Sequence, residues 1–163
     1  MLEIINFNFN SLVWLIAATF HWASAYFCLS IQKRSKAAKH FLINFLLAGI
    51  ASFSYFVSSC FYHPVSAIHR YFTIFCVTGA LIHVGQVFFY LPEEIYPRVR
   101  KIFLYSMWSL LLIVEAIFII KSFSADYIFH FSGHYWDFTL DEFSKKVGIV
   151  ILVYSIIVIA IGI

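Results

Sequence analysis

Charge is what this sequence has least of. Lys, Arg, Asp and Glu make up 12% of its 163 residues, whereas a soluble domain contains about a quarter. Hydrophobic residues make up 63%, and the mean hydropathy is +0.89. A chain this short has no core large enough to hide so much apolar surface from water, which excludes a soluble globular domain. The sequence therefore predicts an integral membrane protein whose solvent is the lipid bilayer.

Cysteine and catalytic motifs are also scarce. The three cysteines, Cys28, Cys60 and Cys76, form no CxxC pair and lie within apolar runs, so we expect buried, inert thiols. No nucleophile elbow, P-loop, HExxH motif or paired carboxylates occur, so we predict no enzymatic activity, no metal site and no cofactor. The net charge of +3 comes from basic residues in short loops, so it does not indicate a nucleic-acid-binding surface. Because Glu3 and no Lys or Arg precede the first apolar run, and no small-residue cleavage pattern follows it, we expect a membrane span there and not a signal peptide.

Long apolar runs predict the fold class, which is an all-α polytopic transmembrane helix bundle. A hydrocarbon core of about 30 Å is crossed by about 20 residues at 1.5 Å per residue. We predict one domain, 1–163, with five spans at about 11–31, 41–61, 71–91, 102–120 and 147–163. A polar and aromatic loop, 121–146, separates the last two spans. The fifth run reaches Ile163 without a basic anchor, so we expect a truncation from a larger membrane domain or a short natural frame.

The distribution of basic residues predicts the orientation. Seven of the eleven Lys and Arg residues lie in the loops after the first and third spans, 32–40 and 92–101. By the positive-inside rule we expect these loops to lie in the cytoplasm. The expected location of the chain is the inner membrane of the cell. The N-terminus and the 121–146 loop then lie outside, and the C-terminus runs toward the cytoplasm.

Polar side chains within the spans are the candidate ligand or relay residues. His21 and His83 lie at similar distances from the outer ends of their spans, and Gln86 shares a helix face with His83. Glu115 is the one acidic residue buried in a span, where it must be protonated, paired or hydrated. The leading interpretation of the two histidines is interhelical hydrogen bonding that only packs the bundle, and that of Glu115 is a protonated carboxyl without a functional role. Two further alternatives are a proton relay and a haem held by His21 and His83.

The outer loop carries the sequence FHFSGHYWDF, 129–138. His134, Tyr135, Trp136 and Asp137 are the candidate residues of a lid that lies over the bundle at the membrane interface. The spacing of His130 and His134 suits a metal only on a helix, and Gly133 argues against a helix there. We therefore predict an aromatic lid and no metal site, and such a lid could also cover a ligand pocket.

Three segments carry a family resemblance. They are FYHPVSAIHRYFTIF, HVGQVFFYLPEEIYPRVRK and FSGHYWDF. Over about residues 1–160 the chain resembles the multi-pass N-terminal sensor region, usually about seven helices, of bacterial signalling proteins. Output domains in that group include SpoIIE-type serine/threonine phosphatases, nucleotide cyclases and histidine kinases. The resemblance implies a membrane sensor with a cytoplasmic signalling partner. Five predicted spans and the absence of an output domain depart from that pattern, so the partner's activity is not carried over.

The function expected from these observations is that of a membrane-embedded sensory input module of a bacterial signal-transduction protein. The expected partners are the lipid bilayer and a cytoplasmic output domain or protein, and a homodimer is an open option. The alternatives are a membrane redox or transport protein that uses the intramembrane His and Glu residues, and a purely structural membrane subunit.

Overall fold

Four long helices make up most of the structure, which is a computed structural model. It describes residues 5, 7–33, 35–91, 96–124 and 128–139, and in the C-terminal stretch 146, 148–150, 152–154, 156–157 and 160. The helices are α1 (Phe9–Ser30), α2 (Lys36–Cys60), α3 (His69–Phe88) and α4 (Pro97–Ser124). Each is long and apolar enough to cross a membrane.

Local sequence signals explain where the helices begin. Asn8 and Ser11 form a reciprocal capping box at the start of α1, and the Ser35 hydroxyl accepts a hydrogen bond from the Ala38 amide at the start of α2. A 3-10 helix, Pro64–Ile68, leads into α3, with Pro64 in its first turn where its missing amide hydrogen costs nothing. Pro97 holds the same kind of position in α4.

Helix α3 is the centre of the bundle. In the most apolar stretch of α3, 61% of the residues are buried, whereas in the other three helices the corresponding share is 17–22%. The other three helices therefore expose most of their apolar residues. Helix α2 lies between α1 and α3, and α4 packs against the other side of α3. Small buried residues allow α1 and α2 to approach closely, as is usual between membrane helices: Ala18, Ala25, Gly49 and Ala51.

A β-hairpin follows α4. Strand β1 (Ile128–Phe131) pairs antiparallel with β2 (Trp136–Thr139), and His130 lies opposite Asp137. In the turn, Gly133 has a φ of 90°, which glycine adopts without steric cost. We call the end of the bundle that carries this hairpin the hairpin side. The opposite end, with the α1–α2 and α3–α4 connections, is the loop side.

The predicted all-α bundle is confirmed, and the helix bounds differ from the predicted spans. Helix α2 begins at Lys36, not near 41, because Ser35 caps it and its first basic side chains can extend toward water. Helix α4 extends at both ends, over Pro97–Ser124. Within the predicted fifth span, 147–163, the described residues are helical: 148–150, 152–154, 156–157 and 160. The rest of that span lies outside the described residues, so the fifth span stays a prediction.

Candidate functional site

An ion pair fastens the hairpin to the start of α3. The Arg70 guanidinium lies 3.2 Å from Oδ2 of Asp137, whose side chain is 8% exposed, against 30% for Arg70. The other carboxylate oxygen of Asp137, Oδ1, accepts a 2.8 Å hydrogen bond from the Phe138 amide. A buried carboxylate is tolerated only when it is paired and hydrogen-bonded, and Asp137 meets both conditions.

Apolar and polar contacts fasten the same strand to α2 and α4. The Phe138 ring is 2% exposed and stacks on Phe118 of α4 at a centroid distance of 5.8 Å. The Ser58 hydroxyl of α2 donates a 3.3 Å hydrogen bond to the Trp136 carbonyl. Strand β2 therefore contacts three helices at once, and it covers the hairpin-side ends of α2, α3 and α4.

An aromatic and imidazole cluster lies beside this ion pair. His69 is 3% exposed and packs between Tyr55 of α2 and Tyr135 of the hairpin turn, with ring centroids 4.9 and 5.4 Å away. Burial raises the pKa of Tyr135, and Tyr55 and Asp137 shift it in the same direction. The Tyr135 phenol therefore stays neutral and able to donate a hydrogen bond at physiological pH.

The loop side holds a second polar cluster, around His83. The Nδ1 atoms of His83 on α3 and His40 on α2 are 2.8 Å apart, a hydrogen bond that requires one protonated and one bare nitrogen. The His40 ring stacks on Tyr90, and the Arg100 guanidinium lies 4.6 Å from the centre of the same Tyr90 ring. The cluster thus joins α2, α3 and α4 at the end opposite to the hairpin.

Gln86 belongs to this loop-side cluster. It is fully buried, and its Nε2 donates a 3.4 Å hydrogen bond to the Arg100 carbonyl of α4. Its Oε1 has no hydrogen-bond partner among the described residues. Gln86 therefore joins α3 to the first turn of α4, one turn beyond His83.

The structure does not bring the other two predicted relay residues to His83. His21 of α1 contacts α2, where its Nδ1 lies 3.2 Å from the Ser52 hydroxyl. Glu115 is 7% exposed on the buried face of α4, and its Oε2 has no hydrogen-bond partner within the described part of the chain. The four intramembrane candidates thus occupy three separate places, with only His83 and Gln86 in the same cluster.

The lid residues are distributed unevenly. Asp137 is buried and Trp136 partly buried against the helices, Tyr135 meets His69, and His134 lies exposed at the turn. A lid over the bundle is predicted for these four residues. Trp136 and Asp137 lie in β2, which packs on the helices, whereas His134 lies in the turn.

Sequence reasoning missed His40, Arg70, Tyr55 and His69 as members of these clusters. His40 was assigned to the basic loop, although Ser35 is a helix N-cap signal that would have placed it inside α2. Arg70 lies in the short connection just before the predicted third span, 71–91. No pattern in the sequence pairs it with Asp137, because the two lie 67 positions apart.

Within the described ranges, no group of three or more His, Cys, Asp and Glu side chains is placed to hold a metal ion. No family model, no curated protein and no solved structure matches this chain.

Proposed function

We propose that this chain is the membrane-embedded input module of a bacterial signalling protein. The hairpin faces the outside of the inner membrane, and the loop side faces the cytoplasm, where an effector receives the signal. The orientation follows from the charges, because seven of the eleven Lys and Arg residues belong to the loop side. The lid residues Tyr135, Trp136 and Asp137 receive the signal, and His83 and Gln86 lie at the cytoplasmic end of its path.

The observation that carries the proposal is the attachment of one short hairpin to three helices. A ligand or a membrane force that moves β2 acts on α3 through Arg70, on α4 through Phe118 and on α2 through Ser58. A hairpin held by one helix would move that helix alone. Attachment to all three converts a local displacement into a change of helix packing, which is how membrane receptors switch between states.

Helix α3 is the element suited to carry such a change across the membrane. Arg70 lies in its first turn, and His83 lies 13 residues further on, a rise of about 20 Å. Both positions are engaged in polar contacts to neighbouring elements, and the helix between them is the most buried in the bundle. A shift at the hairpin therefore reaches the His40–His83 pair through a packed helix.

The test is whether the loop-side histidines respond to a change in the hairpin. We would record side-chain nitrogen spectra of the histidine-labelled full chain in lipid nanodiscs, for the wild type and for Asp137→Asn. We expect the His83 and His40 resonances to shift in Asp137→Asn, because loss of the ion pair releases α3. The matched control is His134→Ala, at an exposed position of the same hairpin, which should leave both resonances unchanged.

An unaltered His40–His83 signal in Asp137→Asn, with the hairpin resonances themselves displaced, would show that the two ends are uncoupled and would refute the sensor proposal. Phe138→Leu is a second perturbation of the same strand that keeps the ion pair, in case Asp137→Asn lowers the yield of folded protein. Both variants should shift the loop-side histidines in the same direction.

A second candidate function, proton transport, is favoured by the 2.8 Å contact between His40 and His83. Such a pair can pass a proton between two helices. A relay across the membrane also needs Glu115 or His21, and no hydrogen bond among the described residues joins either of them to this pair. Proton uptake by vesicles that contain the purified chain, abolished in His83→Gln, would favour transport over sensing.

A further inference from the structure

A small cavity lies between α3, α4 and the helical residues of the C-terminal stretch. The space in it that is open to the centre of a water molecule is about 20 Å³, and one water needs about 10–15 Å³. Two polar residues line the cavity, Thr78 of α3 and Tyr154 of the C-terminal stretch. The other described lining residues are apolar: Ile74, Met107, Leu110, Leu111, Val114 and Val150. The cavity therefore has room for one water molecule and is too small for an organic ligand.

Two buried hydroxyl groups belong to the residues of this cavity. Thr78 is 5% exposed and Tyr154 is 3% exposed, and neither hydroxyl has a hydrogen-bond partner among the described residues. The two groups do not bond to each other. A helical threonine often donates to the carbonyl four residues before it, but Thr78 does not donate to Ile74. A buried hydroxyl without a partner destabilises a fold, so two of them at one cavity indicate a shared partner.

The depth of the cavity excludes bulk water as that partner. Thr78 is the tenth of the 20 residues of α3, and Leu111 is the fifteenth of the 28 residues of α4. The cavity thus lies near the middle of the hydrocarbon core, where acyl chains offer no hydrogen bonds and bulk water is absent. The shared partner must be bound within the bundle.

We propose that one water molecule is bound in this cavity and bridges the hydroxyl groups of Thr78 and Tyr154. Each hydroxyl can donate one hydrogen bond and can also accept, so a water between them donates to one and accepts from the other. Buried waters make about two to four hydrogen bonds, and these two groups supply the smallest such set. The bridge attaches the C-terminal stretch to α3 in the middle of the membrane. It is independent of the sensor function, and either proposal can fail without the other.

The chemistry of the lining selects water over the other small occupants. A cavity with a purely apolar lining stays dry, but this one carries two unpaired hydroxyl groups. A metal cation requires more oxygen ligands than two hydroxyls provide, and its charge would remain uncompensated among apolar side chains. Water is uncharged, and it needs only the two groups present.

The first test detects the water in the unmodified chain in lipid nanodiscs. Methyl groups of isoleucine and leucine are isotope-labelled, and nuclear Overhauser spectra record which of them lie beside a bound water. We expect cross-peaks from water to the methyl groups of Ile74 and Leu111, which line the cavity and carry no exchangeable side-chain proton. Absence of these cross-peaks in the folded protein would show that the cavity is dry and would overturn the proposal.

The second test distinguishes the water from the hydroxyl protons of the protein, which also exchange with solvent. Val114→Ile adds one methylene group to the cavity and leaves Thr78 and Tyr154 in place. It should abolish the cross-peaks at Ile74 and Leu111. The matched control is Val77→Ile, which adds the same group at an exposed position of α3 and should leave them unchanged. Cross-peaks that persist in Val114→Ile come from the hydroxyl protons, and the assignment of a water is then wrong.

The third test removes the hydroxyl groups one at a time. Thr78→Val and Tyr154→Phe should each reduce the water cross-peaks at least severalfold, because each takes away one of two partners. Thr73→Val is the control, since the Thr73 hydroxyl is buried but already donates a 3.3 Å hydrogen bond to the Arg70 carbonyl. Undiminished cross-peaks in both hydroxyl variants would overturn the bridge.

Thermal unfolding of the same variants supplies an independent readout. Each single variant leaves the other hydroxyl buried without a partner, whereas the double variant leaves none. We therefore expect the double variant to melt no lower than the less stable single variant. A melting temperature lowered by the sum of the two single shifts would show that the hydroxyls have separate partners, which contradicts the shared water.

Discussion

At the scale of single residues, the Arg70–Asp137 pair is the most consequential contact of the hairpin. The side chain of Asp137 is 8% exposed, so its carboxylate has given up water for one guanidinium and one backbone amide. Removing one partner of a buried pair leaves the other uncompensated, which costs more than the pair itself contributes. Because Arg70 keeps 30% of its side-chain surface exposed, that cost is moderated by solvent.

Asp137→Asn should therefore loosen the hairpin without unfolding the helices. We expect the local opening free energy of residues 128–139 to fall by about 1–3 kcal/mol, because the amide cannot form the charge-assisted bond. Amide hydrogen exchange of the hairpin in nanodiscs measures this directly. His130→Asn, at the exposed position opposite Asp137, is the control, and equal exchange in both variants would contradict the prediction.

The His40–His83 contact should show a measurable coupling. Interhelical hydrogen bonds in membranes contribute about 0.6 kcal/mol on average and up to about 1.7 kcal/mol. We expect a double-mutant cycle of His40→Ala and His83→Ala to give a coupling energy in this range, measured by unfolding in mixed micelles. The corresponding cycle of His21→Ala with His83→Ala should give a coupling near zero, since each has its own partner on α2.

Individual polar residues could be predicted, whereas their partners could not. Hydropathy marks His83, Gln86 and Glu115 as unusual because a membrane helix tolerates few such groups. Their neighbours depend on the relative height and rotation of the helices. With α2 beginning near residue 41, His40 would lie in a loop, but α2 begins at Lys36 and His40 lies within the helix, beside His83. The predicted start of α2 is wrong by five residues, and the His40–His83 pair was missed for that reason.

At the scale of elements, one glycine allows Trp22 of α1 to pack directly on the backbone of α2. A Cβ on Gly49 would overlap Nε1 and Cδ1 of Trp22, so the indole occupies the space that any other residue would need. This contact brings α1 and α2 close together at the level of Gly49.

Gly49→Ala should separate α1 from α2 and lower the free energy of unfolding by about 1–3 kcal/mol, the usual cost of overpacking. Thermal unfolding monitored by tryptophan fluorescence provides the measurement. Gly148→Ala is the matched control, because a Cβ there meets nothing within 4 Å and alanine favours a helix. Equal melting temperatures for the two variants would show that Trp22 moves aside without cost.

Helices were easier to predict than the hairpin for a physical reason. A membrane helix forms its backbone hydrogen bonds within its own segment, and a continuous apolar run in the sequence indicates it. The strands 128–131 and 136–139 are four residues each. Strand β2 contacts α2, α3 and α4 through residues that are distant in the sequence, so no local pattern predicts these contacts. Gly133 and the aromatic residues indicated a non-helical segment that covers the bundle, but not its pairing.

At the scale of the whole molecule, the two ends differ in charge, and this asymmetry predicts the orientation. In intact cells, His134→Cys should react with a membrane-impermeant maleimide, and Gln32→Cys should react only after lysis. Both positions are exposed, and the three native cysteines are 4–8% exposed, so the background should be low. The reverse pattern of labelling would place the hairpin in the cytoplasm and contradict the positive-inside argument.

Helix α4 also differs from its neighbours in length. Its 28 residues extend about 42 Å, well beyond a hydrocarbon core of about 30 Å, so it must tilt or project. The hairpin-side end of α4 is tied to β2 through Phe118 and to Tyr71 of α3 through the Ser122 hydroxyl. A thinner bilayer increases the tilt of α4, and these ties carry the hairpin with it. We therefore expect the position of the hairpin to depend on the thickness of the bilayer.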